Sequence, residues 1–147
     1  MALKPISKKL ILDNAALEEE FFEDVKLTGI VCPLESYHFI WKINQAFNFN
    51  FERNHGYEVH VGDLFFPVYS YIEEEKNIEH YIYSNRNKTH FLLPDMKNID
   101  FVWLIKGIQY QTPYIDLINE TLKKLAGIVY IFDINSDKLQ QRQHLIL

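Results

Sequence analysis

Cysteine is almost absent. Cys32 stands alone among 147 residues, so neither an intrachain disulfide nor a CxxC metal site can form. A lone thiol suits a reducing compartment, and we expect a cytoplasmic protein. Long apolar runs are missing too: none approaches the ~18 residues of a membrane-crossing helix. Leu10–Leu12 is too short for a signal-peptide core and is followed by Asp13. No membrane role is expected. Five glycines leave little material for a backbone phosphate cradle. The chain has no Gly-rich phosphate loop, no GxSxG elbow and no HExxH. Basic charge is short as well, with 15 Lys and Arg against 20 Asp and Glu for a net −5. Lys8-Lys9 and Lys123-Lys124 are isolated pairs. An acidic chain without a basic cluster is repelled by phosphate backbones, so nucleic acid is not an expected partner.

What the chain does have is apolar material. Hydrophobic residues make up 48% and aromatics 15%, including 11 Phe and 9 Tyr. That is enough for one ordinary core, and we expect a single domain over residues 1–147. The aromatics exceed what a small core needs, which predicts some aromatic surface covered by a second subunit, a partner or a ligand. The six histidines do not pair at a helical metal spacing. His55 and His60, with Asp63 nearby, come nearest to a cluster. A metal site needs three or four converging ligands, so they read as exposed loop and strand residues, and no metal or other cofactor is expected. Cys32 and His38 as nucleophile and base are less favoured than Cys32 as a small buried residue at a strand end. No catalytic residue is assigned.

Taken in order, residues 1–7 read as a loose tail, Lys9–Asp13 as a short edge strand, and Asn14–Phe22 as a short helix or turn. Val25–Val31 reads as a strand with Gly29 as a possible bulge. Pro33 falls at the first turn of a helix spanning Leu34–Phe47, whose one face carries Phe39, Ile40, Ile43, Ala46 and Phe47. Tyr57–Val61 and Phe65–Ile72 read as strands. Ile78–Ser84 and Thr89–Leu93 follow, completing an antiparallel meander with loops at Glu73–Asn77 and Asn85–Lys88. Thr112 and Pro113 start a second helix, with Ile115, Ile118, Leu122 and Leu125 as its buried stripe and Gly127 as its stop. Ile128–Ile134 reads as a buried strand, Asn135–Gln143 as a short helix, and Leu145–Leu147 as an apolar tail that docks or joins a dimer contact. Together these predict an α+β fold: a mixed, mainly antiparallel sheet of about five to seven strands with two main helices on one face. The leading topology is a ferredoxin-like split βαβ with extra strands.

The chain is organised around residues 92–107. Pro94 ends an apolar run, Asp95 and Asn98 favour turns, and Phe101–Ile105 is apolar at both alternating sets of positions. That last segment predicts a strand covered on both faces. Asp100, just before it, reads as an acceptor for backbone N–H groups at the strand entrance, since no second acid or His lies at a recognisable spacing. The run Leu93-Pro94-Asp95-Met96-Lys97-Asn98-Ile99-Asp100-Phe101 resembles the motif of the IPExxxVDY family. Pro94 and Asp100 match outright. Leu93, Asp95, Ile99 and Phe101 stand for Ile, Glu, Val and Tyr. Leu27–Ile30, Tyr37–Asn44, Tyr83–Arg86 and Phe132–Leu139 are similar to it as well, so the resemblance covers roughly residues 8 to 147. It implies a small protein of the kind found mainly in Bacteroidetes, and it supplies no activity and no catalytic residues.

Three functions remain. The first is a non-catalytic protein acting by association, as a homodimer or with a protein partner. The second is a small-molecule binder or enzyme with a pocket lined by Tyr37, Trp41 and the tyrosine strands. The third is single-stranded RNA binding on a platform of Tyr69, Tyr71, Tyr81 and Tyr83. Cross-strand tyrosines also stabilise ordinary sheets, which favours burial of these four. Trp41 and Trp103 read as core.

Overall fold

The computed structural model describes residues 8–108 and 112–147, with backbone only for 8–13. The predicted tail at residues 1–7 lies outside the described residues. In chain order the elements are α1 (Lys8–Glu23), β1 (Val25–Val31), α2 (Ser36–Phe47), β2 (Glu52–Arg53), β3 (Val59–Val61), β4 (Leu64–Phe66) and β5 (Val68–Glu73). They continue with β6 (Ile78–Ser84), β7 (Arg86–Asn87), β8 (His90–Phe91), β9 (Phe101–Lys106), α3 (Thr112–Lys123) and β10 (Tyr130–Ile134).

Six strands form the main sheet in the order β10-β1-β9-β6-β5-β2, every pairing antiparallel. Since β9 is antiparallel to both β1 and β6, those two run parallel with β9 between them. By the same reasoning β9 and β10 run parallel with β1 between them. β1-α2-β6 and β9-α3-β10 are therefore two interleaved split βαβ units, the ferredoxin-like order, with β5 and β2 added beyond β6. The fold is α+β, as the sequence predicts.

Alternation along β9 feeds two cores. Phe101, Trp103 and Ile105 face one side, with Phe39, Ile40 and Ile43 of α2 and Ile115, Ile118 and Leu122 of α3 packed over them. Val102 and Leu104 face the other, under Phe22 of α1, Leu92, Leu93, Ile99, Leu139 and Leu145. Each large side chain buried in this way contributes about 1.5–3 kcal/mol. The second layer has its own clamp: Arg142 pairs with Glu18 and Glu19 of α1 and with Asp137, while its guanidinium stacks on Phe22.

Several local expectations are corrected. Lys9–Asp13 is helix and not edge strand: it is continuous with the Ala- and Glu-rich turn that follows, and helix propagates readily from a formed turn. Pro33 lies outside α2, which begins at Ser36 after Glu35. Gly29 is not a bulge, because its register is unbroken on both sides. A Cβ there would come within 3.0 Å of Phe132 Cζ, so the glycine lets that ring lie against the sheet. Pro67 divides Phe65–Ile72 into β4 and β5. The third strand beside the β5–β6 hairpin is β9, since only His90–Phe91 of the expected Thr89–Leu93 strand pairs, and it pairs with β7. Ile128–Ile134 shortens to the edge strand β10, half-exposed because no strand covers its outer side among the described residues. Two 3₁₀ turns, Ser136–Lys138 and Arg142–Leu145, replace the short last helix. Leu145 docks, its carbonyl accepting the Tyr83 hydroxyl at 2.6 Å. The residue before Thr112 is outside the described residues, so the capping of α3 is as well.

The loop from Leu92 to Asp100 is held by one buried side chain. Asn85, with no exposed surface, donates its amide N–H groups to the carbonyls of Met96 (2.9 Å) and Ile99 (3.0 Å), and its Oδ1 accepts Leu93 N–H at 2.8 Å. Its backbone carbonyl accepts Leu92 N–H and its N–H donates to the Asp100 carbonyl. Three partners are orphaned in a dry interior if the amide is removed. Asn85→Ala is expected to lower unfolding free energy by about 3 kcal/mol. Urea denaturation measures this, and a loss below about 1 kcal/mol would show that the loop holds its shape without the amide.

Candidate functional site

The carboxyl ends of β1 and β6, the entrance of β9 and the start of α2 meet at one end of the sheet. Between them lies a cleft of about 860 Å³. Its polar lining comprises Asp100 at the entrance of β9, Arg86 and Lys88 after β6, and Glu35, Ser36 and His38 at the start of α2. Val31, Leu34 and Val129 supply an apolar rim.

Local structure fixes these groups. Phe101 stacks on Phe39 of α2 with centroids 4.2 Å apart and planes 11° apart, worth about 0.5–1.5 kcal/mol beyond area burial. The Ser36 and Ser84 hydroxyls meet at 2.7 Å, joining the first residue of α2 to the last of β6. Asp100 is fully committed: Oδ2 accepts Cys32 N–H at 2.8 Å, and Oδ1 lies 3.3 Å from an Arg86 nitrogen. Its own N–H donates to the Ile30 carbonyl. The carboxylate thus ties β9 to the chain leaving β1. Arg86 stacks over Phe91, which steers it along the wall. Lys88 makes no ion pair among the described residues and sits at a left-handed φ of 56°, in the tight turn between β7 and β8. Glu35, preceding α2, makes no side-chain cap, and the N–H groups of His38 and Phe39 both donate to its carbonyl. The first N–H groups of the helix, those of Ser36 and Tyr37, are therefore left without an acceptor among the described residues.

The other motif residues act elsewhere. Asp95 accepts Gln140 N–H at 3.2 Å, tying the loop to the C-terminal segment, and Pro94 is exposed at the turn. Cys32 is completely buried, and burial pushes its thiol up. His38 lies exposed on α2 with Tyr37 and Trp41 as ring neighbours, so the two form no dyad.

The tyrosine platform does not exist. Tyr69 lies opposite Ile82 and Tyr71 opposite His80, on the face of α2 and α3. Tyr81 and Tyr83 lie opposite Ser70 and Val68, on the other face, against the motif loop and the C-terminal segment. In the two strands the tyrosines occupy opposite alternating sets, so no surface displays all four. Tyr69, Tyr81 and Tyr83 are buried as well. Tyr37 and Trp41 are the exposed pair, at 74% and 59%; Trp41 is therefore not core, while Trp103 is. Neither Tyr37 nor Trp41 lines the cleft.

A second polar cluster was not expected, because His80 reads as an exposed strand residue. Its ring has 0% exposure, surrounded by Phe49, Phe51, Tyr71 and Trp103. Trp103 Nε1–H donates to Nδ1 at 3.1 Å, which assigns the proton to Nε2, and Nε2 donates to Glu73 at 2.8 Å. The Tyr114 hydroxyl donates to the same oxygen, joining the first turn of α3 to the β5–β6 hairpin. Among the described residues no three metal-ligating side chains come together. His55 pairs with Glu58 at 3.0 Å and His60 is exposed beside Phe65.

No protein-family model matches the chain, and no curated protein matches it.

Two outcomes are expected. Asp100→Ala orphans the buried Cys32 N–H and is expected to cost about 1–3 kcal/mol. Asp100→Asn, which keeps an oxygen there, should cost less in the same denaturation assay. Burial alone would raise the Glu73 carboxyl, but donation by His80 and Tyr114 outweighs it and holds the group below its ordinary 4.5. The folded value lies below the unfolded one, so this stabilisation is complete above about pH 4.5 and is lost as pH falls through the folded value. The midpoint of urea unfolding followed from pH 6 to pH 3 should fall less steeply in Glu73→Gln than in the wild type; equal slopes would remove Glu73 from the acid response.

Proposed function

We propose that the protein is a binding protein for a small anionic ligand, carboxylate or phosphate in chemistry, held in the cleft beside Asp100. The observation that carries this reading is the convergence of Lys88, Arg86 and His38 with the start of α2 around an open cleft, whose acidic members are Asp100, paired with Arg86, and Glu35. Asp100 neutralises one part of Arg86, and the guanidinium has further N–H groups to offer. Lys88 supplies an uncommitted charge. The uncovered N–H groups of α2 add the positive end of a helix dipole. Asp100 is held at both oxygens, and the two serine hydroxyls of the cleft bond each other. The reading is therefore of binding, with the apolar rim of Val31, Leu34 and Val129 facing the non-charged part of the ligand.

Titration with citrate and with inorganic phosphate, followed by thermal shift and calorimetry at low salt, tests it. At least one of the two should bind and raise the melting temperature. Lys88→Glu, at an exposed side chain without an ion pair, should weaken that binding about tenfold or more while leaving the unliganded melting temperature nearly unchanged. Binding that survives Lys88→Glu unaltered, or no binding of either anion, would remove the proposal.

A further inference from the structure

We infer that β10 is the seam of a homodimer, two copies joining edge to edge so that their sheets become continuous. The two edges of the sheet are built differently. β2, at one end, is two residues long, and both are charged and exposed, Glu52 and Arg53. Short charged edges of this kind resist further pairing. β10, at the other end, is five residues, Tyr-Ile-Phe-Asp-Ile, with no proline and no lysine, and its register with β1 is unbroken. Its outer backbone groups face no other strand among the described residues. Just where the strand begins, Val129 is 68% and Tyr130 62% exposed.

The occupant that fits is a second copy of this chain. Antiparallel pairing about a twofold axis at Phe132 sets Tyr130 of each copy opposite Ile134 of the other, and Ile131 opposite Asp133. Asp133 is the one charge in the strand, and it is already paired with Lys26 at 2.6 Å. Lys123, at the end of α3, is exposed and lies beneath β10 next to Ile131 and Asp133. The twofold brings Asp133 of one copy over Ile131 and Lys123 of the other, twice, so opposite charges meet on both sides of the axis. The two Asp133 carboxylates are diagonal neighbours about 7–8 Å apart, and each is offset by its own Lys26. A different protein strand would have to match the same pattern, whereas the isologous pair matches itself. The exposed Val129 and Tyr130 extend the contact beyond the ladder toward the area a stable pair needs. This inference does not rest on the ligand reading; Val129 borders both surfaces, and the test uses Asp133 and Lys123, which do not line the cleft.

Light scattering after size exclusion at about 50 µM should give twice the 17.6 kDa of the chain. Asp133→Lys and Lys123→Glu should each weaken the dimer about tenfold or more, since each sets like charges against each other on both sides of the axis. An equimolar mixture of the two variants should recover a dimer, because their heterodimer has an opposite pair on each side. Amide exchange in β10 of the wild type, slower at high than at low concentration, reads the same contact without any substitution. A wild type that stays at the mass of one chain overturns the inference. So does a dimer indifferent to both swaps, or β10 exchange that is independent of concentration.

Discussion

Asn85 sits just past the end of β6, against the loop from Leu92 to Asp100, and its amide does what regular secondary structure cannot do there. Leu92 and Leu93 must point inward to fill the core against β9, yet their backbone leaves the sheet and has no strand beside it. A buried N–H or carbonyl without a partner costs about as much as several buried methylenes give back. The side chain of Asn85 offers both donors and an acceptor at one point, so it satisfies a loop from the middle. A hydrophobic residue of the same size would fill the volume and leave the three groups dry. The loop then delivers Ile99 to the core and Asp100 to the junction, and from Asp100 the exit of β1 is fixed as well.

Two layers depend on that junction. Phe101 can stack on Phe39 only because Asp100 has set where β9 starts, and the same stack sets the height of α2 over the sheet. On the other side, the loop forms the ledge on which the C-terminal segment rests. His144 Nδ1–H donates to the Leu92 carbonyl at 2.8 Å, Gln140 N–H donates to Asp95, and Tyr83 holds the Leu145 carbonyl. Arg142 carries the chain onward to α1. The last residues of the chain thus staple the first helix to the sheet, through a loop held by one amide.

Much of this architecture was legible in the sequence, and the reason lies in periodicity. The unbroken apolar run Phe101–Ile105 marks a strand buried on both faces, and the stripes of α2 and α3 mark two helices with one face each. Elements placed by pairing across the chain were not legible. Asn85 reads as a turn residue because nothing near it reveals that Met96 and Ile99 will offer carbonyls to it. His80 alternates between Glu79 and Tyr81 like any strand position; only the arrival of Phe49, Phe51 and Trp103 decides that it is buried. The four tyrosines show the limit most plainly. Spacing within each strand is visible, and it correctly pairs Tyr69 with Tyr71 and Tyr81 with Tyr83. The register between the strands, which puts those pairs on opposite faces, depends on the loop Glu73–Asn77 and its left-handed Asn77. The cleft was hidden for the same reason, since the rest of α2 and strands β2 to β6 separate Ser36 and His38 from Arg86 and Lys88 in the chain.

A net charge of −5 does not oppose the proposed anion site, because Lys88 and Arg86 act on a seated ligand at short range and the net charge acts over longer distances. At physiological ionic strength charges farther apart than about 8 Å are largely screened. A small anion seated beside Lys88 and Arg86 would act first on those groups, on the start of α2 and on Asp100 and Glu35, which line the same cleft. A long polyanion spans more than the cleft and meets the net negative charge of the chain as well. Glu35, which lines the same cleft, narrows the choice: a ligand that presents its negative charge to Lys88 and a cationic part to Glu35 meets attraction on both sides, and one that is anionic throughout meets repulsion from Glu35.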